Sequence, residues 1–171
     1  YSESYFSYPS PQLNAEQFCA AIAEICLNQH IDIIMPMTEL TTSLLLTYQS
    51  QLPTISLPFA NIETVNMLSD KCMLMKLAES IGIPVPQTWH ANDPDNLPID
   101  LNTMSYPIIL KPGKSWVEHN AEWLHTTVRI ADNAAMANDI LQSDPAYRAH
   151  PFMLQEFIPG SGGGVFALYD N

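Results

Sequence analysis

Basic residues are scarce in this chain. Six lysines and arginines stand against 18 aspartates and glutamates, so the formal net charge is −12 at pH 7. A surface of that sign repels the phosphates of nucleic acids and of anionic membranes, and no basic stripe runs along the sequence. We therefore expect neither nucleic acid nor a membrane as a partner. A nucleotide held locally by two or three lysines is still compatible with this charge.

Long apolar runs and clustered metal-binding residues are also missing. No apolar run approaches the roughly 20 residues that a membrane-spanning helix needs. The cysteines, Cys19, Cys26 and Cys72, lack metal-ligand spacing, and the five histidines are scattered. We therefore expect reduced, buried thiols in a cytoplasmic protein. The sequence contains no P-loop, dinucleotide fingerprint or nucleophile elbow.

The composition, 47% hydrophobic and 14% charged, is typical of a folded protein with one or two small cores. The chain starts at Tyr1 instead of a methionine and stops in what reads as a strand, so we expect a fragment of a longer protein. Residues 165–169 would then form a truncated sheet edge, which offers a second copy a place to pair as a homodimer.

The first 60 residues show alternating helix and strand patterns. Asn14 is a good cap for a helix that should end near His30. The apolar run 31–37 then predicts a parallel strand covered on both faces. A helical stretch to about Gln51 and a short strand over 53–57 complete the order of a doubly wound α/β sheet.

Thr38 and Glu39 follow the first of these predicted strands. Ligands of doubly wound sheets bind at the carboxyl ends of strands, so both residues are candidates for a site. Glu39 fits equally well in the first turn of the next helix, where the helix dipole favours an acid.

The most informative segment is Tyr-Pro-Ile-Ile-Leu-Lys-Pro-Gly-Lys-Ser-Trp, residues 106–116. Ile108, Ile109 and Leu110 predict a short strand buried on both faces, which ends in a turn at Pro112-Gly113. Lys111 at the strand end is a candidate phosphate ligand. The alternative is a lysine whose stem is buried and whose ammonium reaches water.

Further patterns flank this segment. Asp70-Lys71 begins a helix that Gly82 ends, followed by Ile-Pro-Val-Pro. Residues 122–130 predict a strand, and Asp132 is a candidate cap for the next helix. A strand over 152–158, a Pro-Gly turn and a further strand beginning in 162–168 complete the chain.

Taken in order, these segments resemble the ATP-grasp superfamily, in particular the carboxylate-amine ligase-like proteins related to the carbamoyl-phosphate synthase large subunit. The likeness covers residues 61–169 through a DK…GIPVP helix, a YP…KP strand and an LQE…PG…GV hinge. It implies an α/β fold in three parts. Residues 1–60 would be the end of a Rossmann-like pre-ATP-grasp domain. Residues 61–82 would be linking helices, and 83–171 the first α+β ATP-grasp subdomain with the truncated start of the second.

The resemblance also implies a nucleotide site. Lys71 and Lys111 would approach the ATP phosphates under the turn that follows Lys111. That turn departs from the glycine-rich loop of many relatives, because Lys114, Ser115 and Trp116 follow a single Gly113. The hinge would hold adenine through the Glu156 carbonyl and the Ile158 amide. The implied ATP-binding residues are Lys71, Lys111, Lys114, Ser115, Gln155, Glu156, Phe157 and Ile158.

Ile109 and Phe157 would form the walls of the purine pocket, although apolar residues in strands are more often core. The resemblance implies an ATP-dependent ligase that activates a carboxylate as an acyl phosphate and joins it to an amine or similar nucleophile. Its Mg²⁺ ligands would follow Asn171, so we expect no catalytic residue and no metal site within this chain, and no activity from the chain alone.

Two alternatives stay open. One is a non-catalytic module that keeps the fold for binding or assembly. The other is a plain Rossmann-type nucleotide or metabolite binder with its site near Thr38 and Glu39, although the usual glycine-rich turn is missing from this sequence.

Overall fold

A computed structural model describes residues 4–119, 122–165 and 167. The helices are α1 (Ala15–Gln29), α2 (Glu39–Thr47), α3 (Ile62–Ser69), α4 (Lys71–Ser80), α5 (Ala134–Ser143) and α6 (Ala146–Ala149). The strands are β1 (Thr88–Ala91), β2 (Ile108–Pro112), β3 (Trp116–His119), β4 (Glu122–His125), β5 (Arg129–Ala131) and β6 (Phe152–Glu156). Across the described ranges, no helix is both long enough and apolar enough to span a bilayer.

The amino-terminal helices follow their predicted caps. Asn14 accepts a hydrogen bond from the Gln17 amide at 2.8 Å, and α1 ends where His30 adopts a left-handed φ of 55°. Phe18 and Cys19 pack with Leu45 of α2 in a small apolar cluster. The three cysteines are buried free thiols, as the sequence predicted.

The prediction of a strand covered on both faces over 31–37 is wrong. Only Ile33 forms a bridge, to Ser56, so the predicted strand over 53–57 is also reduced to a single residue. Ile33, Met35 and Met37 are exposed at alternate positions. A short apolar run cannot by itself distinguish a segment covered on one side from one covered on both.

The second part is a four-stranded sheet in the order β1-β6-β2-β5. All its pairs are antiparallel, with Ile109 opposite Gln155 and Lys111 opposite Met153. Helices α5 and α6 cover one face, where the core contains Ile108, Leu110, Ala131, Ala137, Ile140, Leu141, Tyr147, Phe152 and Leu154. This packing of helices on a sheet confirms the α/β fold class predicted from the sequence.

Strand β2 is buried on one face only. Ile108 and Leu110 have 0% exposure, whereas Ile109 and Lys111 are half-buried on the opposite face. The prediction of burial on both faces is therefore wrong. Successive side chains of a strand point to opposite faces, and three consecutive apolar residues do not show which face is buried. The face that carries Lys111 is available for contacts other than the main core.

Other boundaries differ from the sequence prediction. The strand predicted over 122–130 is two strands, since β4 pairs with β3 and β5 pairs with β2. The cap of α5 is Asn133, which accepts from the Met136 amide at 2.9 Å, and not Asp132. Residues 161–165 form no strand, and the predicted homodimer edge over 165–169 lies largely outside the described residues.

Candidate functional site

Asp70 fixes the start of α4. Its Oδ1 accepts from the amides of Cys72 and Met73 at 2.9 and 3.1 Å, and its Oδ2 lies 3.0 Å from His150 Nε2. Burial alone would raise the pKa of Asp70, but the Met73 amide and His150 outweigh it and lower that pKa. The helix therefore begins with a charged, well-bonded cap that directs Lys71 toward the turn after β2.

The turn after β2 is held from both sides. The Lys71 amide donates to the Gly113 carbonyl at 2.7 Å, and the Gly113 amide donates to the Pro151 carbonyl at 2.9 Å. A Cβ at position 113 would lie 2.8 Å from the Pro151 oxygen and 3.0 Å from Asp70 Oδ1. Only glycine fits in this space, so α4, β2 and the segment before β6 meet at one point.

Two lysines, Lys71 of α4 and Lys111 of β2, are close enough for their charges to interact. Lys111 Nζ donates to Gln155 Oε1 at 2.6 Å, and Lys71 Nζ donates to Ser115 Oγ at 3.3 Å. Burial first, and then the positive charge of Lys71, lower the pKa of Lys111. Within the described ranges neither lysine forms an ion pair with a carboxylate. Two close cations without an acidic partner can bind an anion.

Gln155 was among the predicted ATP-binding residues, but the sequence did not predict that its side chain joins Lys111 to Thr88. Gln155 is only 2% exposed, and its Nε2 donates to Thr88 Oγ1 at 2.8 Å. Thr88 Oγ1 in turn donates to the Pro86 carbonyl at 2.7 Å. The signal for this role is a buried glutamine on β6 directly opposite Ile109 of β2. That signal depends on the register of the two strands, which cannot be read from the sequence.

The predicted hinge leaves β6 at its exposed end. The Glu156 amide donates to the Gln87 carbonyl at 3.0 Å, while Glu156 Oε1 accepts from the Gln87 amide at 2.8 Å. Phe157 and Ile158 are exposed, and the Ile158 amide has no hydrogen-bond partner in the part of the chain that the structure describes. This amide is available to a ligand acceptor.

Lys114 and Trp116 lie apart from the Lys111–Gln155 contact. They line a cavity of about 120 Å³ together with Glu39, Leu40, Ser43, Asn66 and Ser69. Glu39 thus occupies the first turn of α2 and also borders a cavity, so both sequence interpretations of it agree with its position. Thr38 caps α2 by accepting from the Thr41 amide at 3.3 Å.

A cavity of about 500 Å³ lies elsewhere. It lies between the loop 94–102 and the start of α5, and none of the predicted ATP-binding residues lines it. No group of three or more Asp, Glu, His or Cys side chains among the described residues is arranged to hold a metal ion. These side chains therefore do not fit a bound Mg²⁺ by themselves.

Comparison with known proteins identifies the fold. No family model matches the chain. The L-amino acid ligase of Bacillus licheniformis superposes with a TM-score of 0.61 at 15% identity, over 89% of this chain and 33% of the ligase. The carboxyaminoimidazole ribonucleotide synthase of Aspergillus clavatus, solved with ATP, gives a TM-score of 0.59 at 14% identity, over 92% of this chain and 37% of that one. This chain has an ATP-grasp fold.

One curated sequence is also similar to this chain. The carbamoyl phosphate synthase large chain of Pyrococcus furiosus is 26% identical over 110 residues, which are 64% of this chain and 10% of the synthase. The chain thus spans a tenth of that relative and about a third of the two ligase structures. At these identities the structural likeness concerns the fold, and the ATP-binding roles of Lys71, Lys111, Lys114, Ser115 and residues 155–158 stay predictions.

Proposed function

We propose that this chain forms the phosphate- and adenine-binding wall of an ATP-dependent ligase. One observation carries the proposal: Lys71 and Lys111 are close enough for their charges to interact, and neither has a carboxylate partner among the described residues, although the chain has 18 acidic residues. An ATP polyphosphate offers the negative charge that this pair lacks.

Each predicted residue has a specific role in this proposal. The ammonium groups of Lys71 and Lys111 bind phosphate oxygens, and each keeps donors beyond its present single bond to Ser115 or Gln155. The turn with Lys114 and Ser115 covers the phosphates. The adenine lies at residues 155–158, where the Glu156 carbonyl accepts from the exocyclic amine and the Ile158 amide donates to the ring.

The reaction that we propose for the complete gene product follows ATP-grasp ligase chemistry. A carboxylate oxygen attacks the γ-phosphorus and ADP leaves, which yields an acyl phosphate. An amine or similar nucleophile then attacks the acyl carbon and phosphate leaves. The residues of this chain contribute positioning and charge neutralisation to that sequence. We also propose the three-part division at residues 1–60, 61–82 and 83–171, with Mg²⁺ held by side chains outside this chain.

Titration calorimetry with ATP and MgATP tests the nucleotide site. Lys111→Ala should weaken binding by a charged hydrogen bond, about 1.5 to 3 kcal/mol or roughly 10- to 150-fold. Lys76→Ala is the matched control, because Lys76 lies exposed on the same helix as Lys71 and its loss changes the net charge equally. An equal loss in both variants would mean that net charge, and not a site, controls binding.

The ligase step needs a separate test. The complete gene product should release ADP from ATP only when a suitable carboxylate and amine are both supplied, and panels of amino acids are the first choice. If the complete, folded gene product does not bind ATP, the proposed function is wrong. Binding without turnover on any panel would favour the non-catalytic module of the same fold.

A further inference from the structure

Thr88 lies on β1, separated from Lys111 of β2 by the strand β6, and no sequence pattern marks it. It belongs to β1, opposite Gln155 of β6, and Gln155 is in turn opposite Ile109 of β2. The three side chains Thr88, Gln155 and Lys111 therefore cross three neighbouring strands on one face of the sheet. We call this row the Thr88–Gln155–Lys111 relay.

The hydrogen-bond directions in the relay follow from elementary chemistry. The Pro86 carbonyl can only accept, so the single hydroxyl proton of Thr88 is directed to it across 2.7 Å. Thr88 Oγ1 must then accept in its 2.8 Å contact with the Gln155 amide, which places Nε2 on the Thr88 side. The oxygen of the same amide consequently faces Lys111, where Oε1 accepts from Nζ at 2.6 Å.

Burial makes this orientation important. Gln155 is 2% exposed, so an amide nitrogen without its Thr88 acceptor would be desolvated and unpaired. The side chain would then leave its present rotamer to find another partner, and Lys111 would lose the only acceptor that it has among the described residues. Lys111 is half-buried and lies near Lys71, so its ammonium depends on that acceptor.

We propose that Thr88 is a positioning residue for the nucleotide site: through Gln155 it holds the Lys111 ammonium in place for an anionic phosphate. This inference rests on the proposed function for its ligand. The relay itself is tested without any nucleotide. Thr88 contacts the amide of Gln155 and not Lys111, so it acts on the phosphate only indirectly, through Gln155 and Lys111.

The first experiment follows Lys111 directly. The chain has four lysines, Lys71, Lys76, Lys111 and Lys114, so lysine labelled with ¹³C at Cε gives a spectrum that four Lys→Arg variants assign. Thr88→Val keeps the shape and removes the hydroxyl. The pKa of Lys111 should fall further in this variant, by about half a unit or more, because the charged form loses a hydrogen bond. Lys71 of α4 is the charged group that acts on Lys111, and it is unchanged in this variant.

Matched variants separate positioning from general stability. Thr88→Ser keeps the hydroxyl and should restore the Lys111 titration. Thr103→Val removes a comparable hydroxyl, which donates to the Asp100 carbonyl at 2.7 Å, and should leave Lys111 unchanged. If Thr88→Val does not fold, Thr88→Ala removes the same hydroxyl without steric demand and replaces it in the test.

A double-mutant cycle tests whether Thr88 acts through Gln155. In a Gln155→Met background the relay is already broken, so Thr88→Val should no longer shift the Lys111 titration. In the unaltered background, Thr88→Val should also weaken ATP binding about three- to tenfold, less than Lys111→Ala because the ammonium is still present.

The outcomes are distinct. A Lys111 titration that is unchanged in folded Thr88→Val overturns the relay, whether or not ATP binds. An equal shift in the Gln155→Met background also overturns it, since Thr88 would then act by another route. If the relay behaves as expected and the unaltered protein still does not bind ATP, the proposed function fails and the positioning of Lys111 by Thr88 stands.

Discussion

Gly113→Ala is the substitution that the structure constrains most sharply. The new Cβ would lie 2.8 Å from the Pro151 carbonyl oxygen, 3.0 Å from Asp70 Oδ1 and 3.1 Å from His150 Cδ2. Two of these neighbours cannot easily withdraw, since one is backbone and the other is the helix cap that also binds His150. The chain at position 113 must therefore move.

The cost of that movement can be estimated from what it disturbs. Overpacking in a tight site costs about 1 to 3 kcal/mol. The shift also strains the Gly113–Pro151 bond of 2.9 Å and the Lys71–Gly113 bond of 2.7 Å, each worth about 1 kcal/mol net. We expect a loss of about 2 to 4 kcal/mol in the free energy of unfolding, which for a chain of this size lowers Tm by roughly 5 to 15 °C.

Urea unfolding and thermal melting measure this loss, with Gly162→Ala as the matched control. A Cβ at Gly162 would meet no atom within 4 Å among the described residues, and its φ lies outside the left-handed region. Gly162→Ala should change stability by at most about 0.5 kcal/mol. If Gly113→Ala is equally harmless, the turn is not held between α4 and the segment before β6, and the alignment of Lys71 with Lys111 loses its structural basis.

Three ionisable groups give further tests. Burial and then Lys71 lower the pKa of Lys111, so its ammonium should lose its proton at a pH below the ordinary lysine value of about 10.5. ATP affinity measured by calorimetry should therefore decrease as the pH rises from 7 to 10. An affinity that stays constant over this range would contradict the prediction. Burial first, and then Lys76, lower the pKa of His90. Its ring nitrogens are buried and have no hydrogen-bond partner among the described residues. The contribution of His90 to stability should therefore be complete above pH 6.5 and decrease below it. His90→Leu should remove most of that decrease, which for one group is at most about 1.4 kcal/mol per pH unit, in urea unfolding at pH 7.5 and 5.5. The lowered pKa of Asp70 means that its charge stabilises the fold above pH 3.8 and stops doing so as the pH falls through the folded value. Asp70→Asn should therefore cost about 1 to 3 kcal/mol at pH 6 and progressively less toward pH 2, and a cost independent of pH would exclude a role for the charge.

Local rules predicted the ends of helices well. Asn14 caps α1, and Gly82 has a φ of 78° just beyond α4, where its amide and that of Ile83 bond back to Glu79 and Ala78 at 3.0 and 2.9 Å. These features depend on a few neighbouring residues and on one backbone conformation, so the sequence contains the information directly.

The partner of Lys111 could not be predicted in the same way. The contact with Gln155 joins residues 44 positions apart and depends on the register of β2 against β6, which side-chain packing across the whole sheet decides. The same limit explains the error over 31–37, because the side chains that cover an apolar segment come from elsewhere in the chain. Lys111 was predicted from its position at a strand end and Gln155 from the family resemblance, whereas Thr88 and the contact between Lys111 and Gln155 could be found only from the sheet.

The geometry at Lys111 favours one of the two sequence interpretations of that residue, although its phosphate-binding role stays a prediction. A lysine that only reaches for water keeps its ammonium solvated and needs no buried acceptor. Lys111 instead donates to the oxygen of Gln155, a side chain with 2% exposure, and burial first, and then the second cation Lys71, lower the pKa of Lys111. Holding two positive groups together in a half-buried place opposes folding, and no carboxylate among the described residues offsets it. An anionic ligand that binds both would offset this repulsion, which is why ATP should stabilise the unaltered chain more than it stabilises Lys111→Ala.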